Sequence, residues 1–151
     1  MNLAEWRTRS PLLEDLRDPH FAFLEQVATE RSLDAGETVF RVGEPANRFY
    51  LVTSGTVALQ ISGGSRPTIT IQTVGPGALL GLSWHVHPYR WQWNAVAVEP
   101  TTLAEFDANA VLSACEQDRE LDNALLRVIA RESGRRLQNV RMQLLDLYGR
   151  D

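Results

Sequence analysis

Residues 34–57 decide the fold: Asp34-Ala35-Gly36-Glu37-Thr38-Val39-Phe40, then Gly43-Glu44-Pro45, Tyr50-Leu51-Val52, Ser54-Gly55 and Val57. Short β-branched and aromatic runs alternate with glycine turns, a spacing too tight for helices and suited to antiparallel strands. The same rhythm continues through residues 56–61, 68–74, 95–98 and 102–106, with turn signals at Gly63-Gly64, Gly75-Pro76-Gly77 and Glu99-Pro100. Gly63-Gly64, between two alternating runs, predicts a hairpin tip. Many short strands at regular spacing predict an antiparallel sandwich or barrel.

Outward from this segment the period becomes helical. Upstream, residues 10–31 place Leu12, Leu13, Leu16, Phe21, Leu24, Val27 and Ala28 at helical spacing, broken at Asp18-Pro19. This predicts two short helices, the first starting at Ser10-Pro11. Downstream of Asp107, Leu121, Leu125, Val128 and Ile129 form one apolar face. Leu137, Val140, Leu144 and Leu147 then step by 3, 4 and 3, an a/d seam. Such a seam calls for a covering helix. A second copy of the chain is one source, and packing back on its own barrel is the other.

The 151 residues, 44% hydrophobic, make one domain with enough apolar side chains for a core. All 15 basic residues are Arg, which excludes a lysine nucleophile and a phosphate-loop lysine. Against 19 acidic residues they leave a net charge of −4, which argues against a general polyanion binder. A lone cysteine, Cys115, allows no intrachain disulfide and fits a reducing cytoplasm. Residues 1–10 lack the apolar stretch of a signal peptide, and no apolar run approaches the ~18 residues of a membrane span. A cytoplasmic protein without a membrane partner is expected.

The run 35–40, Gly43-Glu44, Tyr50-Leu51-Val52, Ser54-Gly55 and Val57 resembles the opening of a cyclic-nucleotide-binding domain. Gly75-Pro76-Gly77-Ala78-Leu79-Leu80-Gly81 resembles that family's approach to its phosphate-binding cassette, and Arg135-Arg136-Leu137-Gln138 resembles its dimer helix. The resemblance implies a mainly β fold with flanking helices: a jelly-roll barrel, or double-stranded β-helix, over 34–107, N-terminal helices over 1–33 and C-terminal helices over 108–151. It also implies a homodimer built on Leu137, Val140, Leu144 and Leu147. In transcription factors of the family a helix-turn-helix domain follows the dimer helix. Here the chain ends at Asp151, so sequence-specific DNA binding is not expected. The recurring Arg127, Arg131, Arg135, Arg136 and Arg141 read as a solvated face or an intersubunit ion-pair ladder.

The resemblance also implies a ligand site with three working parts. A helix start after a glycine offers backbone N–H groups to the cyclic phosphate. A Glu next to that glycine accepts from the ribose hydroxyl, and an Arg about ten residues on pairs with the phosphate. Here Gly81 is followed by Leu82, and counting back from Ala104-Glu105-Phe106 sets Trp91 at the Arg position. Where the family's dimer helix touches adenine with Thr-Ser, this chain has Val140 and Arg141. The expectation is a degenerate cassette without tight cyclic AMP or cyclic GMP binding. Arg90 could replace the missing cation, together with the Gly81–Ser83 backbone. However, neighbouring side chains on an extended segment point opposite ways.

Trp84, Trp91 and Trp93 crowd this stretch. They read as a filled, retired pocket, as an aromatic pocket for a flat ligand, or as an exposed patch that docks a protein partner. His85 and His87 form an H-x-H pair, a weak metal candidate of the kind a cupin-like enzyme uses, but no nearby carboxylate completes it. Ser83 lacks a nucleophile elbow, and Glu116 and Asp118 surround Cys115 with negative charge. No cofactor and no enzymatic activity are expected. Signalling would run through a cassette and terminal helix that form a bistable unit.

Overall fold

The computed structural model describes residues 3–10, 13–63, 65–81 and 89–149. A turn of 3-10 helix, Leu3–Glu5, leads into α1, Trp6–Arg9, and then α2, Asp18–Val27. Pro19 lies in the first turn of α2, where its missing N–H leaves no bond unmade. His20 Nδ1 accepts from the Arg17 N–H at 3.1 Å and closes that end. At the helix start expected at Ser10-Pro11, the Leu13 N–H donates to Ser10 O at 3.1 Å, an i to i+3 turn. Ser10 is the C-cap of α1 and its N–H bonds Trp6 O, while Pro11 lies outside the described residues.

Among the described residues eight strands follow: β1 Ala28–Leu33, β2 Thr38–Phe40, β3 Arg48–Ser54, β4 Val57–Gly63, β5 Arg66–Val74, β6 Leu79–Leu80, β7 Asn94–Ala97 and β8 Thr101–Asp107. They form two antiparallel four-stranded sheets, ordered β1-β8-β3-β6 and β2-β7-β4-β5. Sequence-distant strands pair within each sheet, as a jelly roll requires. The expected hairpin joins β4 to β5, with Gly63 opposite Arg66. Between the sheets Val52, Val57, Leu59, Leu80, Leu103 and Ala104 are sealed from solvent.

One expected boundary moves. The sequence pattern places residues 28–33 with the N-terminal helices, but they form β1, paired residue by residue from Ala28↔Phe106 to Leu33↔Thr101. The polar ATERSL segment has no strong preference of its own. The ladder offered by β8 overrides it, and only Leu33 of the strand is fully buried.

Helices return at Asp107, whose carboxylate caps α3, Ala108–Gln117, by accepting from Asn109 N (2.9 Å) and Ala110 N (3.3 Å). Asp118 caps α4, Arg119–Tyr148, in the same way through Leu121 N at 3.2 Å. At 30 residues α4 runs roughly 45 Å. Its first half buries Leu121, Ala124, Leu125 and Val128, whereas residues 141–149 are all exposed. No helix among the described residues is long and apolar enough to cross a membrane.

Candidate functional site

The site is built around the end of β6. The chain reaches it through the turn at Gly77, whose φ of +91° suits glycine. There Gly77 N donates to Val52 O (2.8 Å), and the buried Ser10 hydroxyl donates to Gly77 O (2.9 Å). β6 then pairs with β3, Leu79 opposite Leu51 and Leu80 opposite Tyr50, which presents Gly81 at the barrel end.

Gly81 has φ +84°, and a Cβ built there would lie 2.7 Å from Trp91 Cη2 and 3.2 Å from Arg48 O. The outer edge of the Trp91 indole therefore occupies the space directly beside Gly81. The ring is 5% exposed and stacks on Phe40 at 4.0 Å and 15°, and Phe40 in turn lies 6.2 Å from the Tyr50 ring. Two backbone bonds fix its position: Trp91 N donates to Glu44 O (3.1 Å), and Gly43 N donates to Trp91 O (3.0 Å).

Arg90 points the other way. It is exposed, and its Nη1 donates to the Gly43 carbonyl at 2.7 Å, on the outside of the same short β-bridge that pairs Pro45 with Arg90. The alternation expected of an extended segment thus sends the indole in and the guanidinium out. Trp93 is partly buried against the core. Leu82, Ser83, Trp84, His85 and His87 lie outside the described residues. Among the described residues no group of three or more His, Cys, Asp or Glu could hold a metal ion.

On the other flank of β6 stands α4. The fully buried Glu132 accepts from Leu79 N through Oε2 (3.4 Å) and from Arg136 Nε through Oε1 (3.2 Å), while Arg135 Nη2 lies 2.8 Å from Oε1. This corrects the reading of the arginines as one solvated stripe or intersubunit ladder. Arg136 is buried, and Arg131 pairs within its own chain with Asp15 (2.6 Å) and Glu14 (3.6 Å). Burial lowers the Arg136 pKa, opposed by the Glu132 charge. Sequence reading missed the Glu132–Leu79 contact. The available signal was one acid, Glu132, followed at i+3 and i+4 by two arginines on a helix that must lie against the barrel.

The profile of the cyclic nucleotide-binding domain matches residues 30–118. The chain belongs to the cyclic nucleotide-binding domain family. The CRP-like cAMP-activated global transcriptional regulator of Mycobacterium tuberculosis is 30% identical over 118 residues, covering 77% of this chain and 50% of that protein. The chain thus spans about half the length of the curated relatives it matches. The N-terminal domain of a transcriptional regulator from Streptomyces coelicolor superposes with a TM-score of 0.71 at 28% identity, over 86% of this chain and 93% of that one. A cyclic nucleotide-binding domain from Methylobacillus flagellatus has the same fold, with a TM-score of 0.79 at 18% identity over 89% and 81% of the two chains. These relatives are regulators and binding domains, and nothing in the family supports the cupin-like metal reading of His85 and His87.

Leu137, Leu144 and Leu147 are exposed and Val140 half-buried on the distal part of α4, joined by exposed Leu145 and Tyr148. Cys115 is buried on α3. Burial first, then the Asp122 and Asp118 charges, push its thiol up to about 11, which leaves it unreactive at neutral pH. Tyr50, under Phe40, is raised to about 12 by burial and then by Glu105.

Proposed function

We propose that this chain is a non-enzymatic regulatory or adaptor module whose altered cassette does not hold cyclic AMP or cyclic GMP tightly, and that it acts as a homodimer through α4. The observation that carries the first part is the Trp91 indole, stacked on Phe40 and pressed against Gly81 where the resemblance calls for a phosphate-binding cation. An indole offers no charge to a phosphate, and Leu82 offers no acceptor to a ribose hydroxyl. Each lost contact is worth about 1–3 kcal/mol, so two together move a micromolar dissociation constant toward millimolar.

The competing reading keeps a cyclic-nucleotide sensor that uses Arg90 and the Gly81–Ser83 backbone, in line with the cAMP-activated relative. Against it stands the outward Arg90, engaged with Gly43 O. Isothermal calorimetry with both cyclic nucleotides decides between them: no saturable heat at micromolar ligand is expected, and a micromolar or tighter constant overturns the proposal.

The homodimer is supported by the row of exposed Leu137, Leu144 and Leu147 on a helix whose residues 141–149 are all exposed. Sedimentation velocity is expected to give a dimer that Leu144→Glu converts to monomer. A monomeric native chain overturns this part.

A further inference from the structure

Leu79 does two things in the structure. Its N–H donates to the fully buried Glu132 of α4 at 3.4 Å, and its side chain lines a cavity of about 30 Å³. The cavity lies where three parts of the fold meet. Leu16 and Phe21 come from the N-terminal segment and α2, Phe49 and Leu79 from β3 and β6, and Leu125 and Val128 from α4. Every described residue on its wall is apolar, and that wall presents no polar atom.

Size and chemistry together narrow the occupant. A water held inside a protein needs roughly 2–4 polar partners, and this wall offers none, so the cavity stays dry. An ionic or hydrogen-bonding molecule would lose its hydration without receiving a partner. One water-sized sphere takes roughly 10–15 Å³ of such space, so the cavity has room for about two heavy atoms. A benzene ring fits an apolar cavity of about 150 Å³, far larger than this one. A nucleotide is excluded outright.

We propose that this cavity binds an uncharged apolar molecule of two heavy atoms, with the size and polarity of dioxygen. Removal of apolar area from water and dispersion against close-packed walls drive the binding, and neither needs a polar group. The position gives occupancy a consequence. The two elements joined by the Leu79–Glu132 hydrogen bond, β6 and α4, also form two sides of the cavity, so an occupant touches Leu79 of one and Leu125 and Val128 of the other. By filling space that these elements share with the N-terminal helices, it favours the arrangement in which all three are docked. Gly81 and Trp91 do not line the cavity, and the inference does not depend on the weakness of the cassette.

The test is methyl NMR of the full native chain under xenon pressure and then under dioxygen pressure. Xenon, a single apolar atom used as a size probe, should shift the Leu16, Leu79 and Val128 methyl signals saturably and leave those of Val57, sealed between the sheets, in place. Dioxygen is paramagnetic and should relax the same three sets of signals several-fold more than those of Val57. Leu16 and Val128 are buried as Val57 is, so burial alone does not produce that difference. Absence of xenon shifts at all three residues overturns the inference, as do equal shifts at Val57. Dioxygen relaxation no greater at the three than at Val57 also overturns it. Val128→Ile adds one methylene to the wall and should cut the xenon shifts at Leu16 and Leu79 several-fold, and undiminished shifts overturn the inference. If Val128→Ile does not fold, the two native titrations decide.

Discussion

On the barrel side of Gly81 a tryptophan ring stacks on Phe40, whereas on the helix side Glu132 and Arg136 bury charge against Leu79 and leave one nitrogen without an acceptor. The two flanks of one short strand are closed by opposite chemistries. Stacked rings are held by area and dispersion, which need no partner from outside. Buried charge is stable only when balanced, and on the helix flank Glu132 and Arg136 balance one another within the chain.

Removing the ring should have the largest effect. Trp91→Ala leaves a cavity against Phe40 and Gly81 and is expected to cost about 3–5 kcal/mol, read as a fall in the urea midpoint at unchanged slope. The neighbouring Arg90→Ala should stay within about 0.5 kcal/mol, because only an exposed contact to Gly43 O is lost. Similar costs for the two variants would break the in/out distinction.

Next comes Glu132→Gln, which removes the one negative charge between two guanidiniums and is expected to cost about 3 kcal/mol. High salt should reduce that cost little, since the group is fully buried. A cost that vanishes in salt would place Glu132 at the surface and dissolve the contrast.

Gly81→Ala should cost about 2 kcal/mol, part from the positive φ and part from the Cβ meeting the indole. In the Trp91→Ala background only the backbone part remains, so a double-mutant cycle should show a coupling of about 1 kcal/mol. An additive cycle would mean that the ring does not press on Gly81.

Much of this was legible in the residues. Glycine-punctuated β-branched runs named the barrel, and counting along the chain put Trp91 where a cation was expected. Alternation on an extended segment already opposed Arg90 and Trp91. Two features were not legible. Residues 28–33 became a strand because β8 lay within reach, which local pattern does not encode. Arg135 and Arg136 look alike in the sequence, yet one is half exposed and the other buried, because a helix can be read for its faces only once its contact with the barrel is known.

By itself, then, the sequence determined the strand-rich middle, the helical ends and the family, since all of these follow from residue type and local spacing. The tertiary structure alone decided that the indole fills the space beside Gly81 and that Glu132 ties α4 to β6. Both contacts join residues about 10 and about 50 positions apart, a separation across which only packing, not periodicity, carries information.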